Sequence, residues 1–175
     1  MRLFPVSAHH PYLTSIRTWY EASFPPDERR PFGQVVQLLA CPDMHLCGLV
    51  DGDDLVGFVV YWRWPEMLFV EHIAVDPDRR GRQYGQQAIS QLLRLESPYH
   101  VLEVELPQDG TSQRRVRFYE RLGFSAAPFS YAQPPYQAGS PAIPMYLMAS
   151  PAIPDQQTFR ILSQLIRERV YERFY

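Results

Sequence analysis

Val70-Glu71-His72-Ile73-Ala74-Val75-Asp76-Pro77-Asp78-Arg79-Arg80-Gly81-Arg82-Gln83-Tyr84-Gly85 passes from a strand-like run into an Arg- and Gly-rich loop, and a helical pattern follows to about Glu96. A loop that opens a helix leaves backbone N–H groups without intrahelical partners. Those donors and the helix macrodipole together make an anion site. Gly81 and Gly85 allow the backbone to bend close to a bulky ligand, and Arg79, Arg80 and Arg82 add charge where a pyrophosphate would sit. GxGxxG is absent, and so is the Gly-Lys-Ser/Thr of a P-loop.

Upstream, Arg2–Val6 reads as a short strand. Pro11–Phe24 carries Leu13, Ile16, Trp19 and Tyr20 at helical spacing and is stopped by Pro25-Pro26. Pro31 is expected in the first turn of a second helix, with Val35, Val36, Leu38 and Leu39 inward and Pro42 as its end. Met44–Val50 and Leu55–Trp62 form a hairpin about Asp51-Gly52-Asp53-Asp54, and Trp64-Pro65-Glu66 turns the chain into Met67–Val75. Downstream, Ala88, Ile89, Leu92, Leu93 and Leu95 form a helical apolar face. Val101–Leu106 alternates with Glu103 and Glu105 as a strand with one polar face. Ser112–Leu122 reads as a helix stopped by Gly123, and two strands then flank a loop at Tyr131–Tyr136. In Asp155–Tyr175, Phe159, Leu162, Leu165, Ile166, Val170 and Phe174 recur at three and four residues, behind Asp155 as a cap.

The 175 residues, 46% hydrophobic and 21% charged, describe one ordinary globular domain with a substantial core. A net charge of −2 offers no footprint for nucleic acid. All 17 basic residues are Arg, which excludes lysine Schiff-base chemistry. Cys41 and Cys47 lack the companions of a zinc site, so no metal is expected. No apolar run spans a bilayer and no signal peptide is read, so a cytoplasmic location without membrane contact is the expectation.

Two segments resemble the GNAT superfamily of acetyl-CoA-dependent N-acetyltransferases. Val70–Gly85 looks like its acyl-CoA motif, Arg/Gln-x-x-Gly-x-Gly/Ala, with Arg80 and Gly85 at the ends and Gln83 where the first glycine is usual. Arg117-Phe118-Tyr119-Glu120-Arg121-Leu122-Gly123-Phe124 resembles the family's Phe-Tyr-x-x-x-Gly-Phe helix end, with Ser112 where Asn is common and Arg115 where Ala is common.

The resemblance implies an α/β GNAT fold. Its mixed, mostly antiparallel sheet would have about six or seven strands flanked by helices, with residues 1–150 as the acyltransferase domain. Residues 151–175 would be an extra amphipathic helix, packed on that domain or joining a homodimer. The resemblance also implies acetyl-CoA (coenzyme A) in a wedge between Met67–Val75 and Val101–Leu106. Its contacts would be Ile73, Ala74 and Val75 by strand backbone, Arg80, Gly81, Arg82, Gln83, Tyr84 and Gly85 by the loop, and Ser112. An amine would attack the thioester directly, with Glu71 as base and Tyr119 as acid. His72 is the rival base, expected on the opposite strand face. Phe24, Arg29, Tyr131 and Tyr136 would border the acceptor. The alternative is a non-catalytic acyl-CoA-binding module.

Overall fold

The computed structural model describes residues 1–175. The chain divides into two compact units. One comprises Met1–Arg63 and Val70–Glu96, the other Trp64–Phe69 and Ser97–Tyr175.

In the first unit, β1 (Arg2–Pro5) pairs antiparallel with β2 (Met44–Asp51), and β2 with β3 (Asp54–Arg63). The β2–β3 turn is Gly52-Asp53, closed by the Asp51–Asp54 pair, and it needs a left-handed residue, supplied by Gly52 at φ +61°. β4 (Leu68–Val75) follows β3. Gly57 of β3 has to be a glycine, because a Cβ there would lie 2.5 Å from the Ala74 carbonyl oxygen of β4.

α1 (Leu13–Ser23) buries Ile16 and Tyr20, one turn apart. It ends because Phe24 turns extended (φ −124°, ψ 129°), the conformation a following proline imposes. α2 (Phe32–Leu38) buries Phe32, Val35 and Leu38. Two expectations are corrected here. Pro31 stands just outside the first turn, at ψ 132°, and α2 ends at Leu38 rather than at Pro42. α3 (Tyr84–Leu92) buries Tyr84, Ala88, Ile89 and Leu92, whereas Leu93 and Leu95 lie beyond its end and are half-buried.

In the second unit, β5 (His100–Glu105) pairs antiparallel with β8 (Ile143–Ser150), which also receives β6 (Ser125–Ala126) and β7 (Tyr131–Gln133). Leu68, at the start of β4, donates its N–H to the Tyr99 carbonyl at 2.8 Å. Tyr131–Gln133, read from sequence as loop, is therefore a strand. That raises the count to eight, in the mixed α/β architecture that the sequence predicts.

α4 (Gly110–Arg121) starts two residues earlier than expected because Asp109 caps it. Asp109 and Ser112 form a reciprocal capping box, and Gly123 at φ +91° ends the helix. α5 (Gln156–Ile166) is capped by Asp155, whose Oδ1 accepts from Thr158 N–H at 2.7 Å. Phe159, Leu162 and Ile166 are its buried residues. Phe159 meets Phe129 and Tyr131, with centroids at 5.1 and 6.3 Å. Beyond Ile166 the winding loosens into a π-turn, Arg167–Tyr171. Arg169 grips Glu66 with two hydrogen bonds, at 3.0 and 3.2 Å, and lies over the Trp64 ring.

Candidate active site

The Arg/Gly loop is built from both ends. Asp76 closes a 3-10 turn at Pro77–Arg79 by accepting from Asp78 N–H at 3.1 Å. Arg79 then donates to Asp54 at 3.0 Å, and Tyr84 donates its hydroxyl to Asp51 at 2.7 Å. The tip of the β2–β3 hairpin thus holds the entry and the exit of the loop. Between those anchors Gly81 takes φ +81° with open space where a Cβ would be, and Arg80 and Arg82 are exposed.

Gln83 has φ +62° and ψ 16°, the one left-handed non-glycine residue in the chain. Glutamine bears a steric cost there that glycine would not, so the family's missing glycine is replaced in identity and kept in geometry. The first backbone bond of α3 runs from Gln87 N–H to the Gln83 carbonyl, and no side chain caps the helix. The N–H groups of Tyr84, Gly85 and Gln86 lie ahead of that bond, beside two exposed guanidinium groups. These residues fit a pyrophosphate. Of the loop residues named from sequence, Tyr84 differs in that its side chain is an anchor, leaving only its backbone to meet a ligand.

Ile73, Ala74 and Val75 complete β4 just before the loop, and Asp76 N–H donates to the Val56 carbonyl at 2.9 Å. Earlier on the strand, the Glu71 side chain is 3% exposed. Arg30 Nε lies 3.3 Å from its Oε1, and Trp62 Nε1 donates to its Oε2 at 2.6 Å. His72 is buried as well, its Nε2 lying 3.2 Å from the Glu28 carbonyl. Strand alternation predicts opposite faces for the two residues, yet His72 Nδ1 is 3.9 Å from Glu71 Oε1, and both reach the 28–30 segment. Burial pushes the His72 imidazole below its ordinary value, against the opposing pull of Glu71.

Phe24 and Arg29 also belong to this cluster. Phe24 packs edge-on against His72 at 4.4 Å. Arg29 donates to the Phe24 carbonyl at 2.9 Å and lies over Tyr20. Tyr20 in turn accepts from Arg30 N–H at 3.0 Å. The sequence reading missed Arg30 and Trp62, the partners of Glu71. The only signal was Arg30's place in the loop between α1 and α2.

In the second unit, Tyr119 is buried on α4 beside Phe118 and Phe124. Burial pushes its phenol up to about 12, so it is a proton donor throughout the neutral range. The Ser112 hydroxyl is engaged in the capping box, accepting from Asp109 N–H at 3.1 Å. Tyr131 donates its hydroxyl to Glu103, and Tyr136 packs against Tyr171 with the rings tilted at 49° and centroids 4.9 Å apart. Tyr171 also donates to Glu103, at 2.6 Å. Glu103 and Tyr171 were not singled out from sequence. Glu103 read only as the polar side of a strand, and Tyr171 falls off the helical stripe.

The family model described as acetyltransferase (GNAT) family matches residues 13–124. A Bacteroides thetaiotaomicron protein described as a GNAT-family acetyltransferase superposes with a TM-score of 0.87 at 30% identity, over 98% of each chain. A spermidine N-acetyltransferase variant of Vibrio cholerae (TM-score 0.64, 14% identity, 85% of this chain and 94% of that one) shares the fold. So does an aminoglycoside 6′-N-acetyltransferase complexed with coenzyme A (TM-score 0.62, 18% identity, 85% and 96%). No protein of curated function matches the sequence. With the family model covering most of the chain and one full-length structural relative at 30% identity, this protein belongs to the GNAT family of acetyltransferases, acyltransferases that draw on acetyl-CoA.

Proposed function

We propose that this enzyme moves an acetyl group from acetyl-CoA to a primary amine by direct attack in a ternary complex. The observation that carries the reading is the Arg80–Gly85 turn, with two left-handed residues leading into an uncapped helix start beside exposed Arg80 and Arg82. Acetyl-CoA supplies the activated thioester. The loop amides and the two arginines hold its phosphates, and the strand backbone of Ile73–Val75 meets the pantetheine arm. Fixed N–H donors of this kind stabilise developing oxyanion charge at no reorganisation cost.

Tyr119 is the proton donor to the departing thiolate. Its raised phenol stays protonated at neutral pH, and the buried ring has little rotamer freedom to lose. Glu71 is the candidate for proton removal from the amine. Its two hydrogen-bonded partners favour a second role, as the anchor that orders the 28–30 segment.

The test is thermal unfolding with 1 mM acetyl-CoA, with CoA and ATP as controls. A ligand at ~100 times its dissociation constant adds about 2.7 kcal/mol, which raises the midpoint by roughly 5–10 °C for a chain of this size. A shift with acetyl-CoA and CoA but little with ATP supports the reading. No shift with any of them rejects it. A turnover assay on the Tyr119→Phe variant then reads the acid: the expected loss is roughly 10²-fold in kcat, with the acetyl-CoA shift kept.

A further inference from the structure

The second unit contains a carboxylate that the acetyl-transfer reading leaves unused. β8 pairs with β5 on one side and β7 on the other, so residues opposite the same β8 face lie together. Glu103 is opposite Leu147 and Tyr131 is opposite Met145. Leu147 and Met145 are two apart and share a face, which brings Glu103 and Tyr131 onto it.

The third member comes from the far end of the chain. In an α-helix Tyr171 would stand about 140° around the axis from buried Ile166. The π-turn Arg167–Tyr171 winds more loosely, and both Val170 and Tyr171 end up fully buried. Such turns recur at functional sites. Here the turn delivers the Tyr171 hydroxyl to one oxygen of Glu103, while Tyr131 holds the other.

The two phenols orient the Glu103 carboxylate. Burial and the negative charge of Glu103 hold the Tyr131 phenol well above its ordinary value, so it remains a donor. Glu103 is half-buried. Tyr136, tilted against Tyr171, and Phe159, edge-on to Tyr131, add aromatic walls. A carboxylate of fixed direction among aromatic rings recognises an alkylammonium: the rings attract the cation and accept its apolar body.

We infer that Glu103, aimed by Tyr131 and Tyr171, is the specificity-determining group for the acceptor, and that the acceptor presents a primary ammonium on an apolar or aromatic body. The inference rests on the proposed transfer to an amine, and it places the terminal helix in the acceptor site.

The experiment compares 2-phenylethylammonium with its neutral counterpart 2-phenylethanol, by calorimetric titration of the full chain saturated with CoA. The wild type is expected to prefer the ammonium by roughly tenfold or more. Glu103→Gln is expected to abolish the preference. Tyr171→Phe, which keeps the carboxylate and loses its orientation, is expected to reduce it severalfold. A structural role alone would lower the unfolding midpoint of both variants and leave the ammonium-to-alcohol ratio unchanged, which overturns the inference. No preference in the wild type overturns it too. If Glu103→Gln does not fold, Tyr171→Phe decides alone. The acetyl-CoA midpoint shift, read on the same samples, separates the two ideas. A shift without ammonium preference defeats this inference only, and a preference without a shift defeats only the donor reading.

Discussion

Glu71 and Glu103 are both strand carboxylates held by two donors, and they differ in what holds them. Glu71 is paired with a guanidinium that is itself 1% exposed, plus an indole N–H. Glu103 is held by two phenols and stays half-buried. A buried ion pair is committed, since each charge is tolerated only because the other is there. Phenols are neutral donors that give a carboxylate direction. The first arrangement suits a fixed point in the fold, and the second suits a group that meets a ligand.

The sharpest way to break this comparison is to remove one donor from each carboxylate. Arg30→Met strands a buried charge and is expected to cost about 3–5 kcal/mol in urea unfolding. Tyr171→Phe removes one hydrogen bond to a charged group and is expected to cost about 1.5–3 kcal/mol. If the two losses are equal, the distinction between a committed and a directed carboxylate fails.

A smaller effect sharpens the Glu71 side. Burial lowers the folded-state pKa of His72, so as pH falls the unfolded chain takes up that proton first, near 6.5. Stability is therefore complete above about pH 6.5 and declines below it, by at most about 1.4 kcal/mol per pH unit for one histidine. His45 is shifted in the same direction by burial. His72→Phe should remove its own share of the slope between pH 7 and 5, leaving that of His45. An unchanged slope would mean that His72 titrates alike in both states.

The smallest effect lies on the Glu103 side. Gln133 is buried on β7, and its Nε2 has no hydrogen-bond partner. Gln133→Met removes that desolvated donor at similar volume and is expected to raise stability by about 1 kcal/mol. A loss instead would show that the amide contributes packing that methionine does not.

Periodicity and turn chemistry made most of the fold legible. Ile16 and Tyr20, the Gly52 turn, the Gly123 stop and the Asp155 cap all act locally, within a few residues. The bend of the Arg80–Gly85 loop was legible for the same reason, from Gly81 and Gly85, whereas the left-handed backbone at Gln83 was not. What was hidden depends on distant partners. Nothing near Glu71 announces that Arg30, 41 residues away, will be its counterion. Strand alternation set Glu71 and His72 apart and did not reveal that both side chains reach the 28–30 segment. Ser112 was read for its place in a motif, whereas Asp109, three residues earlier, engages its hydroxyl in the capping box. Tyr131 was assigned to a loop because three residues are too few to show alternation. Tyr171 escaped because α-periodicity points it away from the sheet.

Under the proposed role of Glu103, the π-turn makes chain length, and not only residue identity, a variable of acceptor choice. Winding Arg167–Tyr171 as an ordinary α-helix of the same length would turn Tyr171 about 140° from Ile166 and its phenol out of phase with Glu103. Deleting one residue as well would set Tyr171 four positions from Ile166, about 40° away, and bring the phenol back. Relatives with ordinary α-winding and no deletion would keep the same sheet and the same loop, yet present a differently aimed carboxylate. In this fold an insertion or deletion far from the donor loop would act as a selector switch for the amine.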